Sequence, residues 1–144
     1  MKNKKKNRPE PSALGAVLAA PRGLLFFLVF AVITAVPAAL AAYMTADPGS
    51  FAFPAGLVAL YVSSAVGGFA AYKFHGGLAL LTGFFCGLAC ICASLLLALI
   101  MPAELSPDTS GAALFATRLP IVAMSIVGAY LASVKRAKKR KKRR

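Results

Sequence analysis

Four long apolar stretches dominate the pattern of hydrophobic and polar positions along the chain. They cover residues 23–44, 54–72, 76–101 and 113–134, and residues 76–101 contain no charged side chain. An uncharged apolar stretch of about 18 residues or more is long enough to cross a membrane as a helix. The pattern therefore predicts an all-α polytopic membrane protein with four transmembrane helices in a small bundle.

Polar and turn-forming residues separate the predicted spans. Residues 45–53 have the composition of a short loop, and the second span is expected to begin at Pro54, because proline suits a first helical position. Residues 73–75 predict a very tight turn, which makes the second and third helices antiparallel neighbours. Residues 102–112 carry two acids, two prolines and no cation, and predict an external loop.

Small residues recur at helical spacing along the second and third spans. Between lipid-embedded helices, small residues let two backbones approach and make the dispersion contacts that hold a bundle together. We therefore expect the second and third helices to pack closely through these positions. The predicted packing residues are Ser63, Gly67, Gly68, Ala71, Gly76, Gly83 and Gly87.

Composition narrows the class of protein. The chain has 144 residues, 59% of them hydrophobic, and its mean hydropathy is +0.74. This leaves no room for a soluble domain beside the lipid-embedded part. One transmembrane domain, residues 23–134, is expected, preceded by a basic arm and lead-in over residues 1–22 and followed by a polybasic tail over residues 135–144.

The charge distribution predicts the orientation. The formal net charge is +13, and nearly all cations lie in the amino-terminal arm, at Lys73 and in the tail. Cytoplasmic loops are enriched in Lys and Arg, so these three regions are expected on the cytoplasmic side of the cell membrane, with both termini cytoplasmic. Four spans independently bring both termini to one side. The tail residues expected to contact anionic lipid are Lys135, Arg136, Lys138, Lys139, Arg140, Lys141, Lys142, Arg143 and Arg144.

A cleaved signal peptide is the alternative interpretation of the amino-terminal part. A basic start, an apolar run and a small-residue end at residues 37–42 are typical of such a peptide. The charged and apolar parts are both longer than a signal peptide usually has. We therefore favour an uncleaved first span.

Residues 67–88, GGFAAYKFHGGLALLTGFFCGL, carry a family resemblance. They resemble the YrzE-like family of small four-span membrane proteins of Firmicutes, in which a GGF-like element ends the second span before a basic turn and a glycine-rich third span. The resemblance covers this helix pair best and the other spans by hydropathy alone. It implies a polytopic integral membrane protein without an established activity, and no catalytic residue.

A few side chains are candidates for chemistry. His75 is compatible with a pH sensor or metal ligand, but no second histidine or nearby carboxylate accompanies it, so an interfacial turn residue is favoured. Cys86 and Cys90 share a helix face and are compatible with a soft metal or an acyl chain, whereas Cys92 points elsewhere. Small packing residues are the favoured interpretation of the cysteines. No metal or cofactor site is therefore predicted.

Arg118 is the single cation placed within a predicted span, in its first third. A cation at the centre of a span costs about 2.5 to 3.5 kcal/mol, so it needs a reason to be there. We favour an anchor that reaches the external surface and pairs with Glu104 or Asp108, over an intramembrane polar site for a substrate. No combination of nucleophile, base and orienting residue is present, so the sequence does not predict an enzyme.

Three functions follow from these features. The leading hypothesis is a structural or interaction protein, whose small-residue helix faces pack the bundle, a membrane-protein partner or a second copy, with a lipid-binding tail. The second is a subunit of a small oligomeric channel or transporter. The third is a membrane tether for nucleic acid through the tail, which lacks the aromatic residues that stack on bases. Candidates for a polar pore lining are Ser63, Ser64, Ser94, Thr117, Arg118 and Ser125.

Overall fold

Four long helices make up most of the described structure. A computed structural model describes residues 13–75, 77–100 and 116–141, with backbone alone for residues 98–100 and 139–141. All four helices are long and apolar enough to cross a membrane, so the predicted all-α, four-helix fold is confirmed. In chain order they are α1 (Ala13–Tyr43), α2 (Pro48–His75), α3 (Ala79–Ile100) and α4 (Leu119–Lys141).

Large apolar side chains cover the outside of the bundle. Leu25, Val32, Leu80 and Leu96 are examples of side chains that are more than half exposed. A soluble protein rarely exposes contiguous apolar surface of this extent, whereas lipid tails solvate it without penalty. The architecture is that of a multi-pass integral membrane protein.

The order of the helices around the bundle differs from their order in the chain. α1 packs on α2, α2 on α4, α4 on α3, and α3 on α1. Among the helix pairs in contact, α2 and α3 touch least, across one diagonal of the bundle. α1 and α4, on the other diagonal, do not touch within the described residues. The expectation that α2 and α3 form the close pair is therefore wrong: a short connection brings two helices together but does not decide which neighbours they pack against.

Contacts between helices also give their directions. Gly15 near the start of α1 lies against His75 at the end of α2, so these helices are antiparallel. α4 runs parallel to α2, because Tyr61 meets Thr117 and Tyr72 lies in one cluster with Ala132. The start of α1 and the end of α4 therefore lie at the same end of the bundle, called here the basic end.

α1 begins earlier than the apolar pattern predicts. The helix starts at Ala13 and contains both Pro21 and Pro37, so residues 13–22, expected as a lead-in, are its first turns. Each proline removes one backbone hydrogen bond, a cost that helix neighbours in a bundle can absorb. At about 1.5 Å per residue α1 is about 46 Å long, longer than the hydrocarbon core of about 30 Å. Because α1 starts at Ala13, Arg22 lies within the helix, in the half nearer the basic end of the bundle.

α2 is longer than predicted at both ends. It begins at Pro48, with Asp47 before it as the amino-terminal cap, whose Oδ1 accepts a hydrogen bond of 3.5 Å from the Ser50 N–H. Aspartate at the cap and proline at the first helical position are a stronger start signal than Pro54. The tight turn expected at residues 73–75 is also wrong, since they form the last turn of α2.

α3 and α4 also differ from the predicted bounds. α3 begins at Ala79 instead of residue 76. α4 begins at Leu119, with Pro120 in its first turn, where a missing N–H costs no hydrogen bond. Residues 113–115, expected in the fourth span, lie outside the described residues. At its other end α4 continues to Lys141, so the expected boundary between span and tail at residue 134 is not a break in the helix.

Candidate functional site

The closest helix crossing joins α2 and α4 through two glycines. A Cβ added to Gly68 would meet the carbonyl oxygen of Ser125, and one added to Gly128 would meet the carbonyl oxygen of Ala65. The two contacts are reciprocal: each helix brings a glycine against a backbone carbonyl of the other. Only a residue without a side chain permits this approach.

A second close crossing joins α1 to α2. A Cβ on Gly23 would lie 2.9 Å from the Gly67 carbonyl oxygen, and one on Gly67 would lie 3.0 Å from the Gly23 carbonyl oxygen. Phe27 and Ala71 lie beside this point in the buried core. Neither Gly23 nor Gly128 was among the residues predicted from the sequence, although α4 has small residues at Ser125, Gly128 and Ala129, the same kind of pattern that identified α2.

The glycines of α3 face α4. A Cβ on Gly83 would lie 2.7 Å from Ile126 Cα, and one on Gly87 would lie 2.8 Å from Val122 Cα. The prediction that they pack on α2 is wrong in its partner helix. Spacing places residues on one face of a helix, but it does not identify the facing helix. Gly76, the remaining predicted packing glycine, lies outside the described residues.

Hydroxyl side chains line the centre of the bundle. Ser64 Oγ donates to the Ile121 carbonyl at 2.9 Å, which links α2 to α4. Ser63 Oγ donates to the Ala59 carbonyl in its own helix at 2.6 Å and lies 3.3 Å from Thr34 Oγ1 of α1. Ser125 Oγ and Thr82 Oγ1 are buried without a hydrogen-bond partner among the described residues. In a bilayer, a hydrogen bond between helices such as that of Ser64 helps to hold the bundle together.

Tyr61 carries a further link between α2 and the start of α4. Its hydroxyl donates a hydrogen bond of 2.7 Å to the Thr117 carbonyl. We expect Tyr61→Phe to lower the melting temperature in detergent, because a hydrogen bond between membrane helices contributes about 0.6 kcal/mol on average. Tyr130→Phe is the matched control, since Tyr130 is 58% exposed. Equal melting temperatures of the two variants would contradict this role for Tyr61.

Two of the three cysteines lie in the core. Cys86 and Cys90 are fully buried with Phe27, Ala71 and Ile121, and Cys92 is exposed on the outside of the bundle. Within the part of the chain that the structure describes, no group of three metal-ligating side chains is present. Cys86 and Cys90 occupy the positions of small apolar core residues.

Arg118 lies outside the regular part of α4. It precedes the first residue of the helix, and its carbonyl accepts a hydrogen bond of 3.0 Å from the Ile121 N–H. The helix begins later than the apolar run, so Arg118 is not in the first third of a helix as expected, and its proposed intramembrane position stays a prediction. Arg118 Nη1 is buried without a hydrogen-bond partner among the described residues. Its proposed partners Glu104 and Asp108 lie outside them.

His75 lies in the last turn of α2 at the basic end. Its ring occupies the space beside Gly15 of α1 and Gly77, where a Cβ on either glycine would meet it. The imidazole therefore fills a gap between α1 and the connection to α3. Its Nε2 is buried without a hydrogen-bond partner in the described part of the chain.

A cation and two aromatic rings lie together at the basic end. The Arg22 guanidinium lies 5.8 Å from the centroid of the Phe74 ring, and Phe26 lies against the same ring at 5.8 Å. Lys73, next in the chain, is exposed. Aromatic and long cationic side chains are typical of the boundary between lipid tails and headgroups, where they have one apolar and one hydrated part.

A cleft between the parallel helices α2 and α4 opens at the basic end. Its volume is about 420 Å³, within the range of small-molecule sites. Lys135 and Arg136 are exposed at the end of α4, one turn beyond the buried Ala132. We call this cleft between α2 and α4 the basic cleft. Its lining residues are Phe69, Tyr72, Lys73, Ala132, Lys135 and Arg136.

Comparison with known proteins identifies no relative. No family model, curated protein or solved structure matches the chain. The resemblance of residues 67–88 to the YrzE-like family stays a prediction.

Proposed function

We propose that the protein is a structural membrane protein, held in the cell membrane with its basic end in the cytoplasmic headgroup layer. The observation that carries this proposal is the uneven distribution of charge between the two ends of the bundle, where Arg118 is the one cation among the described residues at the end opposite the basic end. Arg22, Lys73 and the cations of α4 lie at the basic end, whereas Asp47, the single acid among the described residues, lies at the other. Cations are retained on the cytoplasmic side during insertion.

The length of α4 supports contact between the tail and the leaflet surface. Residues 135–141 extend the helix beyond its apolar part by about 10 Å. The headgroup layer and one Debye length of about 8 Å together span this distance, so these cations act on anionic lipid without the tail lying flat. Each Lys or Arg near an anionic leaflet contributes about 1 kcal/mol.

The fate of the small-residue faces narrows the interaction hypothesis. Gly67, Gly68, Gly83 and Gly87 lie against other helices of the same chain, and Ser63 is fully buried. Residues buried inside one bundle are not accessible to a partner's helix. We therefore propose that these faces build the bundle, and that any membrane-protein partner or second copy contacts the lipid-facing surface instead.

Reporter fusions test the proposed orientation. We expect a reporter inserted after Ala46, between α1 and α2, to be external, and a reporter after Arg144 to be cytoplasmic, because positive charge retains its flanking region inside. A second chain carries glutamine in place of the cations of residues 135–144 and keeps Arg22 and Lys73. Its reporter at Arg144 is compared with that of the parent chain, which shows how far the tail cations decide the position of the reporter. An external reporter at Arg144 in the parent chain would overturn the orientation.

A further inference from the structure

The basic cleft combines uncompensated positive charge with an apolar floor. Lys73, Lys135 and Arg136 contribute three cations to its lining. The single acidic residue that the structure describes, Asp47, lies at the opposite end of the bundle, so no described carboxylate neutralises the cleft. The carboxyl end of α2 carries a partial negative charge that Lys73 complements. Lys135 and Arg136 belong to α4, so the partial charge of α2 does not account for their presence.

The order of side chains along the cleft follows the axes of α2 and α4. Phe69 precedes Lys73 by one turn on α2, and Ala132 precedes Lys135 and Arg136 by about one turn on α4. Because α2 and α4 run parallel, both helices place apolar residues toward the membrane centre and cations toward its surface. A phospholipid has the same order, with acyl chains below a phosphate.

The chemistry of the cations indicates what kind of headgroup fits. The Arg136 guanidinium can donate two parallel hydrogen bonds to one phosphate, whereas lysine ammonium groups bind phosphate as point charges. Tyr72 is 8% exposed and closes the floor of the cleft together with Ala132. The cleft is therefore a concave site of about 420 Å³ with an apolar floor and cations beside it, not a flat charged surface.

We propose that the basic cleft binds one anionic glycerophospholipid, with its phosphate between Lys73 of α2 and Lys135 and Arg136 of α4, and with an acyl chain along Phe69. This inference rests on the proposed function, since it requires the basic end to lie in an anionic leaflet. It goes further by assigning a defined site and one lipid per chain. Bound there, the lipid bridges the ends of α2 and α4.

The test compares retention of two lipids by the full chain in detergent, measured by native mass spectrometry. The lipids are phosphatidylglycerol and phosphatidylcholine with identical acyl chains. We expect the parent to retain one phosphatidylglycerol per chain, and Lys135→Gln/Arg136→Gln to weaken this retention at least about tenfold, because the variant removes both cations that α4 contributes to the cleft. Arg22→Gln/Lys138→Gln removes equal charge from the basic end at residues that do not line the cleft, and should weaken the retention much less.

A variant without charge change tests the shape of the site. Ala132→Leu fills the floor of the cleft and keeps every cation, so it should also lose the bound phosphatidylglycerol. Its melting temperature without lipid shows whether the bundle is intact. If Ala132→Leu is folded and retains the lipid like the parent, the proposed position of the lipid is wrong.

The remaining outcomes separate the cleft from the general proposal. Equal losses in the two double-glutamine variants would overturn the cleft and leave the general attraction of the basic end to anionic lipid. If the parent retains both lipids equally, the cleft and the lipid part of the proposed function both fail. If inorganic phosphate alone raises the melting temperature as much as phosphatidylglycerol, the site takes a free anion and the lipid assignment is wrong.

Discussion

Gly68→Ala combined with Gly128→Ala is expected to separate α2 from α4 and to reduce the amount of folded protein sharply. Each added Cβ would meet a backbone carbonyl of the facing helix, at Ser125 and at Ala65. A backbone atom inside a helix cannot rotate away as a side chain does. Forcing extra atoms into a packed site typically costs about 1–3 kcal/mol, more than the gain of about 1 kcal/mol in helix propensity when alanine replaces glycine.

Two other glycines of α2 provide the control. A Cβ on Gly56 would meet no atom within 4 Å, and one on Gly49 would lie 3.6 Å from Asp47 Oδ1, an ordinary contact. Gly49→Ala/Gly56→Ala therefore makes the same chemical change without the collision, and its melting temperature should equal or exceed that of the parent. Both double variants are compared by size-exclusion chromatography and thermal unfolding in one detergent. Equal stability of the two would contradict the close crossing of α2 and α4.

The four-helix fold was predictable because lipid imposes a simple rule on the sequence. A segment that crosses the hydrocarbon core must be apolar over its length and must satisfy its backbone hydrogen bonds internally, so hydropathy alone locates the helices. The helix ends were less predictable, since apolar residues continue past them. The sequence of Asp47 and Pro48 marks the start of α2, and Pro120 marks the start of α4, where hydropathy shows no change.

The packing was predictable in its residues more than in its partners. Spacing identified Gly67, Gly68, Gly83 and Gly87 as small residues on helix faces, and each lies against a neighbouring helix. Which helix it meets depends on the order of helices around the bundle, and that order comes from the combined fit of all the faces. Phe69 and Tyr72 lie beside Ala132, which is far from them along the chain. This contact likewise depends on the parallel pairing of α2 and α4.

The basic cleft was only half visible in the sequence. Lys135 and Arg136 were expected to contact anionic lipid as part of a tail, and Lys73 was expected to set the orientation. The structure adds that α4 stays helical through these positions, which fixes the cations on the helix beside Lys73. A run of cations in the sequence does not show whether the backbone holds any of them at a defined distance from another helix.

Nucleic acid is expected to bind the full protein in neutral bilayers and to be excluded in anionic bilayers at physiological salt. In the proposed orientation the first cations of the tail lie within the headgroup layer, because α4 places Lys135 directly after its apolar part. In an anionic bilayer, lipid phosphates surround these cations at high local concentration, whereas nucleic acid must displace them and also approach a surface of its own charge.

The comparison uses one protein reconstituted in vesicles of phosphatidylcholine alone or mixed with phosphatidylglycerol, with binding of fluorescent RNA measured at increasing salt. Tight RNA binding in the mixed vesicles at physiological salt would overturn the lipid assignment and make the nucleic-acid tether the leading function. Loss of RNA binding from the neutral vesicles when residues 135–144 carry glutamine in place of Lys and Arg shows that the tail is the binding segment, because the charge of the phosphate backbone is the main source of nonspecific affinity.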